Sequence, residues 1–508
     1  MNDVLNDFGG KLDVVLVPER FKSTCVRPAD CGGLVPRADR YHPPLHITVP
    51  LQEIQQAQLL NPSNVDTGLD WNFKKANFAL MYDLLRVSNA DWSQVAPFLS
   101  DAQHGFRQKR SVETNLLTLV DIVSRDMEGG GQVDVAYLDF KKAFDRVDND
   151  ILLGKLCAIG FSPKLLRLCS DYLRDRQQFV RHGCYVSEPY HTRSGVSQGS
   201  ILGPLFFILM INDLESQLHN STCLLYADDL KLSMRVRGEA DCALLQQDLD
   251  AVHQWSLDNK LLFNTSKCAV MSYTRAKNPF EADYRLGMDV ILRVYTITDL
   301  GVTFDTKLTF HDHFKALTAN CFRRLGFVIR NAKDFSQTCV IQLLYSALVR
   351  SKVESSSVVW SPHESTYTLM LEKVQKAFLR FLYKKKYGYY PYLYPTSFLL
   401  GMLGFNSLEV RRDLNLAIMA CRTLRGETEC PHMVGEVCCL FAPNKYLRAR
   451  SHRLLAVGAA RSVARQQSPL IRATTMVNAI IDSAPQVDVF ADGWPKLKKA
   501  CLKFCESE

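Results

Sequence analysis

The chain has 508 residues, 47% hydrophobic and 22% charged, enough for two or three globular units and too apolar for a disordered polymer. Its formal charge of +8 tolerates a polyanionic partner without demanding one. The longest apolar run, residues 205–211, falls far short of the roughly 18–20 residues that cross a bilayer, and the opening MNDVLNDFGG has no secretory core. No membrane association is therefore expected, and the 16 cysteines are expected to be reduced thiols in an intracellular protein, nuclear or cytoplasmic. The sequons at Asn220 and Asn264 would then stay unglycosylated.

Residues 1–65 are rich in Pro, Gly and Asp without sustained periodicity, which predicts irregular structure. Over residues 66–100, Phe73, Phe78, Met81, Leu84 and Leu85 recur at helical spacing, predicting an amphipathic connector helix. From 101 to 308 strand and helix patterns alternate. Beyond 309 the pattern is mostly helical, broken at Pro362, Pro391, Pro395, Pro443, Pro469 and Pro485. The fold class read from this order is α+β followed by an α-rich region.

Within the alternating region, Val133, Val135 and Tyr137 interleave with Ala136 and Leu138, a strand buried on both faces that ends at Asp139. Ala143, Phe144, Val147, Ile151 and Leu152 then predict a helix. A carboxylate at such a junction needs a partner, and a divalent cation is one way to keep it ionised. Capping the following helix is the other reading. In residues 221–236, Cys223 and Leu225 on one side and Leu230 and Leu232 on the other predict a hairpin with Asp228 and Asp229 in its turn, which taken alone is a structural turn. If the two runs are neighbours, three carboxylates meet at one sheet edge. Such hard oxygen ligands suit Mg²⁺ or Mn²⁺, and two ions about 3.5–4 Å apart can serve phosphoryl transfer, Asp139 and Asp228 bridging them with Asp229 in support. Between the runs, Gly195, Gly199 and Gly203 supply a flexible loop before Pro204 and an apolar helix. The Gln198 amide in that loop suits a nucleotide or template strand, although a Gly-rich turn is weak evidence by itself.

From Lys373 to Tyr394 there are six Lys or Arg, eight aromatics and no acidic residue. Arg380, Lys384, Lys385, Lys386 and Tyr387 are candidates for nucleic-acid contact, because cations neutralise phosphate while aromatic faces stack on unpaired bases. The alternative is a core of aromatics with solvated lysines. Cys430, His432, Cys438 and Cys439 have the side chains of a zinc site, but their spacing fits no standard knuckle.

The three runs AYLDFKKAFDRV, GVSQGSILGPLFFILMINDL and LLYADDLKL, in this order, resemble the palm motifs of reverse transcriptases of non-LTR, LINE-type retrotransposons, with a jockey-like cast. The resemblance implies a palm of antiparallel sheet backed by helices, a helical thumb and an α-rich C-terminal region. It makes Asp139, Asp228 and Asp229 the catalytic, metal-binding carboxylates for two Mg²⁺ or Mn²⁺ ions. Gln198, Gly199 and Tyr226 would line the template and incoming nucleotide. Phe144 would be the aromatic gate against a ribose 2′-hydroxyl, or plain core packing. DAQHGFRQKRSVETNLL (101–117) resembles the family's lead-in, with Arg107, Lys109 and Arg110 as phosphate contacts or a solvated face. LLFNTSKCAVMSY (261–273) makes Lys267 a general acid for departing pyrophosphate, against a plain surface lysine. DLGVTFDTKLTF (299–310) resembles the segment gripping the primer end, SSVVWSPH (356–363) the thumb, and residues 450–504 the usual end of such a reading frame.

The implied organisation is an endonuclease C-terminal remnant over 1–65, a connector over 66–100, a palm over 101–308, a thumb over 309–365 and an α-rich region over 366–508. The remnant rests on RADRYHPPLHITV, with Asp39 and His42; the rest of that endonuclease is missing, so no DNA nicking is expected. Only 15 residues separate Leu85 from Asp101, where the family places fingers that clamp the triphosphate. Ser197 replaces the usual proline. The implied activity is RNA-directed DNA synthesis from dNTPs on an RNA template with a DNA primer or target. The alternative is a catalytically impaired relic that only binds RNA or DNA. A telomerase-like or intron-encoded enzyme is disfavoured by the connector and thumb sequences.

Overall fold

A computed structural model describes residues 99–200, 202–439 and 454–507, and the backbone of two strands, β1 (Cys25–Pro28) and β2 (Leu45–Thr48), paired antiparallel with Cys25 opposite Thr48. The expected connector helix, Asp39 and His42 lie outside the described residues. The chain forms two compact units, residues 1–94 with 163–174, and residues 95–162 with 175–508. The first contains β1, β2 and a helix, α3, introduced below at its place in the chain.

The second unit opens with α1 (Val112–Asp126), whose start is set by a capping box: Ser111 Oγ accepts from Thr114 N, and Thr114 Oγ1 accepts from Ser111 N. Helix α1 is buried on every side over residues 114–121, with Leu116, Leu117, Leu119 and Val120 in the apolar core and Asn115, Thr118 and Asp121 buried with polar partners. The strand β3 (Gln132–Leu138) follows and is buried along its whole length, including Gln132, whose Nε2 donates to Asp134 Oδ1 at 2.7 Å, and Asp134, whose Oδ2 accepts from Tyr284 Oη at 2.7 Å.

The single helix expected after Asp139 is instead a 3₁₀ turn, Ala143–Arg146, and a separate helix α2 (Asn149–Ala158). The break has two causes. Asp148 is extended and caps α2, its Oδ1 accepting from Asp150 N and Ile151 N at 3.0 and 3.1 Å. The carbonyls of Phe144 and Val147, which a continuous helix would use internally, accept instead from Val196 N (2.8 Å) and Gly195 N (2.7 Å).

Helix α3 (Pro163–Leu173) belongs to the first unit and buries Cys169, Tyr172 and Leu173. The second unit resumes with an exposed ribbon in which β4 (Gln177–Gln178) pairs with β7 (Tyr190–His191) and β5 (Arg181–His182) with β6 (Tyr185–Val186). Then come the apolar helix α4 (Leu202–Met210), the hairpin β8 (Thr222–Tyr226) and β9 (Asp229–Val236), the long helix α5 (Glu239–Asp258) and β10 (Ala269–Thr274). Three short strands follow, β11 (Arg285–Leu286), β12 (Asp289–Val290) and β13 (Leu292–Arg293), and then the hairpin β14 (Thr296–Asp299) and β15 (Val302–Asp305).

A five-stranded sheet has the order β13-β10-β3-β9-β8, antiparallel except between β13 and β10. The central strand β3 has Leu138 opposite Leu230 of β9 and Tyr137 opposite Ala269 of β10. Helix α1 packs on β3 and β8, and α5 packs on β9. This is the α+β palm that the sequence implied.

The remainder is helical: α6 (His311–Asn331), α7 (Thr338–Tyr345) continuing through a π-helical turn at Ser346–Arg350, α8 (Ser351–Glu354), α9 (Ser357–Trp360), α10 (Ser365–Tyr387), α11 (Thr396–Leu403), α12 (Leu408–Leu424), α13 (Pro431–Val437), α14 (Val463–Gln466), α15 (Pro469–Ser483) and α16 (Trp494–Ser507). One apolar core runs from Leu116 of α1 through Phe314 of α6, Trp360 of α9 and Phe378 of α10 to Cys501 of α16. Helix α10, beyond the expected thumb boundary at 365, packs on α6 and α7 within that core. Among the described residues no helix is long and apolar enough to cross a membrane.

Candidate active site

The β8–β9 hairpin has buried arms, Cys223, Leu224 and Leu225 on one strand and Leu230 and Leu232 on the other. The sequence pattern puts both aspartates in its turn. In the structure the turn is Ala227-Asp228, while Asp229 already opens β9 opposite Tyr226. Ala227 takes a left-handed φ of 53°, a conformation costly for a residue with a Cβ.

That strained turn is gripped by Gln103. Its Oε1 accepts from Ala227 N (3.0 Å) and Gly105 N (2.8 Å), and its Nε2 donates to the Ala227 carbonyl (3.4 Å). Leu225 N donates to the Ala102 carbonyl, and His104 N donates to the Leu225 carbonyl, each at 2.8 Å. The 102–105 segment therefore lies along β8 like an added parallel strand. The approach is so close that a Cβ on Gly105 would stand 2.3 Å from Ala227 N, which excludes any other residue there. Gln103→Ala removes a buried acceptor from two backbone amides. It is expected to destabilise the fold by about 1–3 kcal/mol, read from urea unfolding; an unchanged midpoint would remove Gln103 as the clamp.

The arginines of this segment face inward, contrary to the expectation of phosphate contacts. Arg107 Nη1 donates to the carbonyls of Leu99 (3.2 Å) and Ser100 (2.8 Å). Arg110, its side chain 1% exposed, pairs with Asp101 Oδ1 at 2.6 Å and donates to the carbonyls of Asp101 and Gln103. Both guanidiniums hold the backbone that carries Gln103. Lys109 is exposed and pairs with Glu429 at 2.8 Å.

Beneath the hairpin lies a buried ion pair that sequence reasoning missed. Lys231 Nζ is 2.5 Å from Asp299 Oδ2, with side chains 1% and 5% exposed, and donates to Asn115 Oδ1 of α1. Asn115 Nδ2 donates in turn to the Leu225 carbonyl at 3.1 Å. The pair joins β9 to the β14–β15 hairpin, the segment whose sequence resembles a primer grip. The available signal was a lysine between Leu230 and Leu232 in an otherwise apolar strand, since a buried ammonium requires a partner.

The antiparallel register sets Leu138 beside Leu230, so Asp139, one residue past β3, stands next to the start of β9. The charges respond to one another. Burial raises the Asp228 carboxyl above the usual range, and the Asp139 charge adds to the rise. Asp229 is pushed up to about 6 by burial first, then by the charges of Asp228 and Asp299, with Lys231 pulling the other way. Asp139 Oδ2 is buried without a hydrogen bond and faces the exposed Lys267 ammonium at 3.3 Å. Lys267 sits on a loop tied to the same place, Asn264 N donating to the Asp139 carbonyl at 2.7 Å.

As the side chains lie, no group of three or more His, Cys, Asp or Glu among the described residues is gathered to hold a metal ion. The donor chemistry nonetheless fits a divalent cation at Asp139 and Asp228: hard carboxylate oxygens, one of them buried and unbonded, beside neighbours of like charge. The four residues considered for zinc are otherwise engaged. His432 pairs with Asp121 at 2.9 Å, and the Cys430 thiol is buried 3.5 Å from Thr118 Oγ1.

The 194–199 loop is pressed onto the 3₁₀ turn that follows Asp139. A Cβ on Gly195 would stand 2.8 Å from Asp145 Cα, and Gln198 Nε2 donates to Asp145 Oδ1 at 3.0 Å. Gln198 and Gly199 are exposed, and Tyr226 is half-buried. Phe144 stacks on the buried Phe207 of α4 (4.5 Å, 21°) and meets the exposed Phe106 edge-on (6.3 Å, 83°). One face of its ring therefore belongs to the core. Arg380, Lys384, Lys385, Lys386 and Tyr387 lie on α10.

Residues 69–329, just over half of the chain, match the profile of the family described as "Reverse transcriptase (RNA-dependent DNA polymerase)". The chain belongs to the reverse transcriptase family. Curated relatives of this reverse transcriptase include a probable RNA-directed DNA polymerase from transposon BS of Drosophila melanogaster, 30% identical over 237 residues, 45% of this chain and 26% of the relative. The RNA-directed DNA polymerase from mobile element jockey of the same species is 28% identical over 299 residues, 56% of this chain and 32% of the relative. The chain thus spans about a quarter to a third of the length of these relatives, and its likeness is to the LINE-type lineage. A solved telomerase structure from Candida tropicalis, in complex with a fragment of telomeric RNA, aligns over 72% of this chain and 62% of its own at 11% identity and a TM-score of 0.35, too loosely to locate residues.

Proposed function

We propose that this chain carries the polymerising centre of an RNA-directed DNA polymerase, in which a primer 3′-hydroxyl attacks the α-phosphate of a dNTP on an RNA template. The observation that carries this reading is the β3–β9 register, which sets Asp139 beside Asp228 in the hairpin turn and Asp229 at the start of β9. Asp139 and Asp228 would hold Mg²⁺ or Mn²⁺, with Asp229 in support. When bound, the metal stabilises charge on the attacking and leaving oxygens.

The chain's own residues account for the rest. Gln103 and the Lys231–Asp299 pair hold the turn in place before substrate arrives. The exposed Gln198–Gly199 loop, held by the Gln198 side-chain amide on Asp145 Oδ1, would offer its edge to the template and nucleotide. Phe144, half-buried and stacked on Phe207, would be the aromatic gate that meets a ribose 2′-hydroxyl. Lys267, exposed and 3.3 Å from Asp139 Oδ2, would serve as the general acid for departing pyrophosphate.

The short span between Leu85 and Asp101 favours a second reading, a palm that keeps nucleic-acid affinity without polymerising. Both are tested by Mg²⁺-dependent dNTP incorporation on a primed RNA template, comparing the native chain, Asp228→Ala and a chimera with family-like fingers inserted. Incorporation by the native chain that Asp228→Ala abolishes supports the polymerase. Incorporation only by the chimera supports the binding reading, and none by either chain rejects the polymerising centre.

A further inference from the structure

Helix α10 ends at Gly388, left-handed at φ 86° with its N–H donating to the Lys384 carbonyl at 2.9 Å, and the chain then folds back over the helix. Arg380, a candidate phosphate contact by sequence, is used for this fold. Its guanidinium donates to the carbonyls of Pro391, Tyr392 (3.4 Å) and Tyr394 (3.3 Å). Three phenols lock the base of the loop: Tyr383, which is buried, bonds Tyr389 at 2.7 Å, and Tyr389 bonds Tyr394 at 3.1 Å. Lys385 is likewise engaged, on the Lys333 carbonyl.

What this fixed loop presents outward is apolar and cationic. Tyr392 is 80% exposed and Tyr390 39%, their rings 4.6 Å apart. Lys384 and Lys386 are exposed, Lys386 Nζ lying 5.2 Å over the exposed Tyr387 ring. No acidic residue occurs between Glu372 and Glu409. The core reading of these aromatics holds for Phe378 and Tyr383, which are buried, but not for Tyr387, Tyr390 or Tyr392.

We propose that the 384–393 surface binds an unpaired nucleic-acid strand, with Tyr390 and Tyr392 stacking on bases, Lys384 and Lys386 neutralising phosphates, and Arg380 acting as the residue that positions the loop. Unpaired strands fit better than duplex because only they offer open base faces to rings, and stacking tolerates any base. Neither contact uses a 2′-hydroxyl, so RNA and DNA strands bind alike. The site is independent of polymerisation.

The test is fluorescence anisotropy on the full-length chain with a labelled 12-nucleotide strand, as RNA and as DNA, and with the matching duplex, in the absence of dNTP and divalent cation. Tyr390→Ala with Tyr392→Ala should weaken single-strand binding at least tenfold, leave duplex binding within twofold and leave the thermal midpoint unchanged. Lys384→Gln with Lys386→Gln should weaken binding and flatten the log–log salt slope by about 1.4, two phosphates at about 0.7 each. A 4-thiouridine strand should cross-link to the peptide holding residues 387–394. Unchanged affinity in the tyrosine variant, equal loss for duplex and single strand, or cross-links confined to other peptides would each overturn the proposal. Because no nucleotide is present, none of these outcomes depends on the polymerase reading.

Discussion

Asp228→Asn is expected to lower dNTP incorporation by roughly a hundred- to a thousandfold or more and, in the same preparation, to raise the thermal midpoint measured without divalent cation. The two effects have one cause. Burial and the Asp139 charge already raise the Asp228 carboxyl, and Asp228 in turn is the largest charge acting on Asp229. Removing one member of a like-charged cluster relieves repulsion that the metal-free fold must otherwise carry, for a gain of about 1–3 °C in a chain of this size. The amide is nearly isosteric and exposed to the same neighbours, so packing changes little. Mg²⁺ should stabilise the native chain by mass action and the variant much less, because the variant has lost a ligand charge. Initial rates on a primed template and scanning fluorimetry with EDTA or Mg²⁺ read both arms. Loss of incorporation together with a lower midpoint would instead make Asp228 a structural residue and count against the site.

The parts of this site that could be read from sequence are those whose signal is local. β3 is legible because Val133, Val135, Ala136, Tyr137 and Leu138 put apolar side chains on both faces of one strand, and the hairpin because two apolar arms bracket an acidic pair. What escaped reading is what depends on distant partners. Gln103 grips Ala227 across 124 residues, and Lys231 bonds Asn115 across 116; neither end announces the other. Charge was the most misleading signal, since it is blind to the direction a side chain takes. Arg107, Arg110 and Arg380 look like phosphate contacts in the sequence, yet each is spent on backbone carbonyls that shape a loop. Helical periodicity failed over 143–152 for a related reason: Asp148 and the backbone of the 194–196 loop compete for the same hydrogen bonds, and period alone cannot weigh a competitor from another segment.

Asp121→Ala is expected to cost about 3–5 kcal/mol and to loosen the α-rich region from the palm. Asp121, on α1 and 1% exposed, holds Arg465 of α14 at 2.6 Å, His432 of α13 at 2.9 Å and Arg125 at 2.5 Å. The Arg465 side chain is only 4% exposed, so losing Asp121 strands a buried guanidinium, and that uncompensated charge is the main cost. Burial by itself would raise the Asp121 carboxyl, but the hydrogen bond from His432 and the charge and hydrogen bond of Arg465 outweigh it and hold it at about 2. A carboxyl depressed below its unfolded value of about 3.9 contributes stability above that pH and loses it as the pH falls toward 2, a swing of about 2–3 kcal/mol. Native unfolding free energy, measured in urea, should therefore fall between pH 4 and pH 2 more steeply than that of Asp121→Ala, which lacks the group that titrates. Limited proteolysis at pH 7 should cut the variant faster than the native chain within α14, which Asp121 holds through Arg465. Parallel curves for the two proteins over this range would show that the carboxylate is not what fastens these helices, whereas recovery of stability in Asp121→Leu with Arg465→Met would trace the cost to the stranded charge rather than to lost packing.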